Sequence, residues 1–198
     1  MKIYCATGNA GKLREFQLAG QLLNIDIQPV PDLKSIIAPN ETGATFEENA
    51  KLKAAYYSQF APGPLFADDS GLEVDSLNGA PGVYSARYAG AHATDAENNA
   101  LLLERLKAES NRTARFVCVV ALAEAGVAGA SFRGEVEGTV LHESCGQGGF
   151  GYDPLFYYPP FGKSLAEVGE TQKFAVSHRG AALRSMLEYL RLQYLTNA

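Results

Sequence analysis

The chain is 198 residues long, 46% hydrophobic and 20% charged, a balance that fits one globular domain over 1–198 and excludes a disordered, collagen-like or coiled-coil chain. Its formal net charge of -5 disfavours a nucleic-acid polymer as partner, because such binders carry a basic face. The same charge leaves room for a small phosphorylated ligand held by local cations and a metal. Cys5, Cys118 and Cys145 are odd in number, form no CxxC and do not cluster with His92, His142 or His178. Neither a disulfide framework nor a zinc site is therefore expected, and a reducing, cytoplasmic setting is. The opening Met1-Lys2-Ile3-Tyr4-Cys5-Ala6 turns polar too soon for a signal peptide, and no apolar run approaches the ~20 residues of a membrane span.

In chain order, Ile3 to Ala6 reads as a short buried strand. Gly11 to Leu23 reads as a helix with Leu13, Phe16, Ala19 and Leu23 on one face. Asp32 to Gly43 lacks a period and reads as a loop. Thr45-Phe-Glu-Glu48 is a capping-box pattern that opens a helix to about Phe60, stopped by Pro62-Gly-Pro64. Leu65 to Ala67 is a short strand running into Asp68-Asp69-Ser70-Gly71. Turns follow at Asn78-Gly79 and Pro81-Gly82. Thr94-Asp-Ala-Glu97 caps a helix to about Lys107. Arg115 to Glu124 is valine-rich and apolar throughout, as a strand buried on both faces should be. Ser131 to Leu141 alternates, with Phe132, Val136 and Val140 opposite Arg133, Glu135 and Glu137, and completes a hairpin. Ser177 opens a C-terminal helix with Leu183, Met186, Leu190 and Tyr194 on one face. The order indicates an α/β or α+β domain with a mixed sheet.

Several segments carry candidate chemistry. Thr7-Gly8-Asn9-Ala10-Gly11-Lys12 links a strand to a helix, where glycines and free N–H groups admit an anion. Lys12 lies in a first turn that the helix macrodipole makes unfavourable for a cation, and a bound phosphate would reverse that. Ala6 stands where a Walker loop needs glycine. The segment by itself fits a plain strand-to-helix turn equally well. Adjacent Asp68 and Asp69 at a strand end suggest Mg²⁺ between them. Asn49 and Lys53, four apart, share a helix face, and Glu41 in the preceding loop could complete a metal site.

Gly146, Gly148 and Gly151 match GxGxxG, but no helix follows, so the dinucleotide reading is rejected. With Phe150 and Tyr152, this loop suits a flat ring. Lys173, Ser177, His178 and Arg179 form a further cationic candidate, because His178 and Arg179 occupy the helix end that disfavours cations unless an anion or a keto oxygen sits there.

Taken together, these segments resemble the inosine triphosphate pyrophosphatase, or Ham1-like, family. The resemblance is carried by Thr7–Lys12, Thr45–Lys53, Ala67–Asp75, Gly79–Tyr88, Gly148–Pro154 and Ser177–Arg179, in the family's order and over nearly the whole chain. It implies an elongated mixed sheet with flanking helices, two lobes around a central cleft, and a homodimer. It also implies cleavage between the α- and β-phosphates of ITP, dITP or XTP, giving a monophosphate and pyrophosphate and cleansing the nucleotide pool. By position, Thr7, Gly8, Asn9, Ala10, Gly11 and Lys12 would hold phosphates, with Lys53 also on the substrate. Glu41 and Asp69 would bind Mg²⁺, Asp69 would be the base for the attacking water, and Ser70 would contact the nucleotide. Phe150, Gly151, Tyr152, Asp153, Lys173, His178 and Arg179 would surround the base. Donors from Arg179 or the loop amides would pair with the keto group of hypoxanthine. An adenine amino group would leave them unpaired, at ~1–3 kcal/mol per buried group. A Maf-like pyrophosphatase for modified pyrimidines, a non-catalytic nucleotide sensor and a nucleic-acid-binding module are the rival readings.

Overall fold

The computed structural model describes residues 1–22 and 24–196, apart from the side chains of residues 22 and 194–196. Leu23 and Tyr194, assigned above to helix faces, lie outside the described residues and side chains. The strands are β1 (Lys2–Cys5), β2 (Asp26–Pro29), β3 (Leu65–Val74), β4 (Thr113–Glu124), β5 (Val127–Val140), β6 (Phe156–Tyr158) and β7 (Lys163–Ser164). They form one seven-stranded sheet in the order β2-β1-β3-β4-β5-β6-β7. The sheet is mixed: β1 runs parallel to β2 and β3, whereas β6 is antiparallel to both β5 and β7. The helices are α1 (Ala10–Leu22), α2 (Phe46–Ser58), α3 (Asp95–Arg105), α4 (Glu170–Val176) and α5 (His178–Thr196). Among the described residues no helix is long and apolar enough to cross a membrane.

Local chemistry sets many of the boundaries. Thr45 and Thr94 both close complete capping boxes, each hydroxyl accepting from the N3 amide while Glu48 or Glu97 reaches back. Between β4 and β5 the chain reverses over Ala125 (φ 48°) and Gly126 (φ 86°), two left-handed residues of the kind a tight hairpin demands. Along β5, Gly134, Val136, Gly138 and Val140 are buried while Arg133, Glu135 and Glu137 are exposed, as the alternation predicts. β3 extends well past Ala67, so Asp68-Asp69-Ser70-Gly71 is strand rather than turn. β2, β6, β7 and α4 were not read from sequence; each is seven residues or shorter and too brief to show a period.

Two compact units emerge. The first comprises the described residues of Met1–Asp69, Cys118–Gly134 and His178–Ala198. Its buried residues include Ile3, Cys5, Phe16, Leu65, Phe66, Leu183 and Met186, with the Phe16 and Phe66 rings edge-to-face at 5.2 Å. In this unit α5 begins against β5 at Gly134, where an added Cβ would collide with the His178 carbonyl oxygen and the Ala182 amide. Glycine is required there because backbone meets backbone. The second unit comprises Ser70–Val117 and Glu135–Ser177. Leu72, Leu102, Leu106, Phe116, Val136, Leu155 and Phe156 are in its core, with the Phe116 and Phe156 rings 4.5 Å apart and tilted by 34°.

Candidate active site

In the first unit the turn after β1 is built by its own side chains. Thr7 Oγ1 accepts the Asn9 amide at 3.2 Å, and Asn9 Oδ1 accepts the amides of Gly11 and Lys12 at 2.9 and 3.0 Å. Asn9 therefore caps α1. Two of the helix-end amides offered to phosphate in the sequence reading are taken by this cap. Gly8 and Ala10 remain exposed, and the space beside Gly8 is open. Lys12 Nζ lies 2.8 Å from Asp68 Oδ2 in a largely buried pair, so Asp68 already supplies the counter-charge that a phosphate was expected to bring.

Asp68 and Asp69 do not face each other. They are consecutive strand residues, and consecutive residues point to opposite faces. Asp68 meets Lys12 of α1, while Asp69 meets α2. Lys53 Nζ is 2.8 Å from Asp69 Oδ1, and Asn49 Nδ2 is 3.3 Å from Asp69 Oδ2. Asn49 and Lys53 thus act as the pair their four-residue spacing promised, one donor to each carboxylate oxygen. Asn49 is fully buried, and its Oδ1 accepts the Gly43 amide at 2.8 Å. An added Cβ on Gly43 would come within 2.7 Å of Asn49 Oδ1, so the loop approaches the helix as closely as only glycine permits. That loop carries Glu41, whose Oε2 is 3.3 Å from Lys53 Nζ.

The two aspartates are driven apart electrostatically. Burial acts to raise the Asp68 carboxyl, but Lys12, Lys53 and Arg179 outweigh it and hold the group below its ordinary value. At Asp69 burial prevails over Lys53, and the carboxyl is raised. Adjacent acids with diverging proton affinity are the pattern expected where one is structural and the other handles protons. Lys53 is raised as well: burial opposes its charge, but Asp69, Asp68 and Glu41 prevail.

Glu41 and Asp69 converge on one cation, the Lys53 ammonium. Among the described residues no cluster of three or more His, Cys, Asp or Glu is arranged for a metal. This donor set fits Mg²⁺, which takes one or two carboxylates and completes its shell with phosphate oxygens and water. The notion of an ion between Asp68 and Asp69 is not supported, since each carboxylate answers to a different lysine.

At the start of α5, His178 and Arg179 are buried, and Arg179 Nη1 lies 3.3 Å from Glu15 Oε2 of α1. Ser177 lies between α4 and α5, and its hydroxyl donates to the Phe174 carbonyl at 3.4 Å.

In the second unit Ser70 is half-buried on β3. The glycine-rich loop is pinned from within. Asp153 Oδ2 accepts the Phe150 amide at 2.8 Å and Lys173 Nζ at 2.7 Å. The Lys173 ammonium also lies 4.7 Å from the Phe150 ring centroid. An added Cβ on Gly149 (φ 72°) would strike the Asp153 carboxylate. Lys173 of α4 thus belongs with Phe150 and Asp153. The side chain of Tyr152, expected beside the base, is instead committed inward: its ring is buried in the core and its hydroxyl donates to the Ser85 carbonyl at 2.8 Å. The loop amides expected to read a keto group are largely committed. Those of Phe150, Gly151 and Asp153 meet Asp153 Oδ2, Asp95 Oδ2 and the Phe150 carbonyl. Asp95 and Asn99, which also hold this loop, were missed; their i, i+4 spacing on a capped helix was the available signal.

The fold is a mixed α/β sheet in which one interior strand, β3, carries two consecutive aspartates, each neutralised by a lysine of a different helix. Residues 3–189 match the Ham1 family. A relative from Thermus thermophilus called dITP/XTP pyrophosphatase is 51% identical over 191 residues, covering 95% of this chain and 91% of that protein. Another of the same name, from Acidobacterium capsulatum, is 48% identical over 199 residues, covering 96% and 98%. Among solved structures, a HAM1 protein from Coxiella burnetii superposes with a TM-score of 0.87 at 42% identity, covering 96% of this chain and 98% of that one. The Staphylococcus aureus Ham1 protein gives 0.86 at 37% identity, covering 98% and 100%. The chain belongs to the Ham1 family.

Proposed function

We propose that this protein hydrolyses deaminated purine nucleoside triphosphates (ITP, dITP and XTP) to the monophosphate and pyrophosphate, in the cytoplasm and as a homodimer. The observation that carries the reading is Asp69. It is a buried carboxylate of raised proton affinity, gripped at both oxygens by Asn49 and Lys53, beside Glu41. The relatives named dITP/XTP pyrophosphatase support the substrate class.

In this reading Glu41 and Asp69 hold Mg²⁺, which when bound neutralises phosphate charge and polarises the phosphoryl group. Thr7, Gly8, Ala10 and Lys12 receive the triphosphate, with Asn9 keeping the turn in shape. Asp69 takes a proton from water as its oxygen attacks the α-phosphorus; the bond from that phosphorus to the bridging oxygen breaks, and pyrophosphate departs. Little covalent work is asked of the protein, because phosphoryl transfer depends mainly on positioning and charge. Ser70 contacts the nucleotide. Phe150 offers a ring face to the base on a loop shaped by Gly151, Tyr152 and Asp153, and Lys173, His178 and Arg179 supply donors.

The test is a product assay on purified protein with Mg²⁺ and either ITP or ATP, measuring pyrophosphate and orthophosphate separately. Pyrophosphate plus IMP from ITP, with little from ATP, is expected. Orthophosphate alone would place cleavage at another bond, and no turnover would favour a nucleotide sensor.

A further inference from the structure

The tip of the glycine-rich loop is held from outside by a helix that carries none of the residues assigned above. Gly151 (φ 62°) has both its backbone groups taken by α3: its amide donates to Asp95 Oδ2 at 2.7 Å, and its carbonyl accepts from Asn99 Nδ2 at 3.1 Å. Asp95 and Asn99 stand four apart on one face, so a single helical turn grips a single peptide residue. The next amide back, Phe150, is held by Asp153. Phe150 therefore projects from a backbone fixed on both sides.

The helix is a firm base for such a clamp. Its N-terminus is closed by the Thr94–Glu97 capping box, and Leu102 is wholly buried in the core of the unit. Asn98 ties it to the segment after β3, accepting the Ala89 amide at 2.8 Å and donating to the Ala86 carbonyl at 3.3 Å.

Asn99 shows a second peculiarity. It is 9% exposed, and its Oδ1 is buried with no hydrogen-bond partner among the described residues. A buried acceptor without a donor is costly, and an apolar side chain would avoid that cost. Packing alone does not call for an asparagine here. The Gly151 carbonyl does, because it can only accept and so fixes the Nδ2 side of the amide toward the loop.

From these observations we infer that Asp95 and Asn99 are positioning residues for base selection, holding the Phe150–Asp153 loop so that the Phe150 ring and the Lys173 ammonium bound by Asp153 are placed to discriminate a keto purine from an amino purine. The inference rests on the reading that this loop takes the base. Loss of the clamp frees the loop tip to adapt to either base, so selectivity falls more than turnover itself.

The experiment measures kcat/KM for ITP and ATP by pyrophosphate release, with melting temperatures, in Asn99→Leu, Asp95→Ala, Asp95→Asn and Phe150→Ala. The ITP/ATP ratio should fall about five- to tenfold in Asn99→Leu and Asp95→Ala, the loss of roughly one hydrogen bond. Asp95→Asn, which keeps an acceptor oxygen, should recover most of the ratio. A parental ratio in Asn99→Leu and Asp95→Ala, with a shifted ratio in Phe150→Ala, would overturn the inference and leave the loop's role standing. A parental ratio in Phe150→Ala as well would remove the loop reading and this inference with it. Should Asn99→Leu melt lower, the surface variant Asp95→Ala decides the matter by the same ratio.

Discussion

Lys53 Nζ lies 2.8 Å from Asp69 Oδ1, on the opposite side of β3 from the Lys12–Asp68 pair, which is also 2.8 Å long. One strand thus presents two neutralised acids to two helices. Among the described residues the Asp69 ion pair has a second carboxylate, Glu41, sharing its lysine. The arrangement explains how consecutive buried aspartates are tolerated, and it singles out the α2 side as the one poised for a second cation.

Lys53→Met removes the ammonium on which Glu41 and Asp69 converge. Breaking a buried pair by deleting one partner costs ~3–5 kcal/mol, so the metal-free variant should melt well below the parent. Millimolar Mg²⁺ should then raise its melting temperature more than the parent's, because the ion meets two carboxylates released from the lysine. A thermal shift series with and without Mg²⁺ reads this directly. A variant indifferent to Mg²⁺ would count against a metal site at these residues.

Asp69→Asn keeps the shape and removes the proposed base. Turnover should drop on the order of 10²–10⁴-fold. ITP binding, followed by calorimetry, should persist, because the turn from Thr7 to Lys12, proposed to take the phosphates, is untouched. Near-parental kcat would take the base role from Asp69.

The two aspartates should imprint opposite slopes on stability against pH. Asp68 has a folded pKa below its ordinary 3.8, so the unfolded chain binds more protons in that interval. Its contribution is present above 3.8 and is lost as pH falls through the lower folded value. Asp69 has a folded pKa above 3.8, so its contribution is present below 3.8 and is lost as pH rises through the higher folded value. Urea titrations across acid pH should therefore show a shallower acid limb in Asp68→Asn and removal of a decline above 3.8 in Asp69→Asn. Parallel profiles for all three proteins would contradict the assignment.

Gly134→Ala forces a methyl group into the His178 carbonyl and the Ala182 amide. Backbone cannot rotate away as a side chain can, so the cost should reach ~3 kcal/mol, the upper part of the usual range for overpacking. Calorimetric melting measures it. Activity should fall as well, since the start of α5 carries His178 and Arg179.

Much of this protein was legible because its signals are local. The Thr45–Glu48 and Thr94–Glu97 boxes, the valine run of β4, the alternation of β5 and the Asn49–Lys53 spacing are each settled within a few residues, and each is present. The motifs around Asp69 and Phe150 likewise announced the family from sequence. Tertiary structure alone decided the partners. The sequence does not say that Asp68 answers to Lys12 across 56 positions while Asp69 answers to Lys53 across 16, or that Asn9 caps its own helix instead of leaving those amides to a ligand. Nor does it say that Tyr152 turns inward to Ser85, 67 positions away, or that Gly151 is gripped by α3. Helix and strand periodicity are properties of neighbouring residues along the chain, whereas pairing and burial of polar groups depend on which distant elements the sheet order brings alongside. Residue type and spacing therefore fixed what chemistry was available, and packing decided which carboxylate could use it.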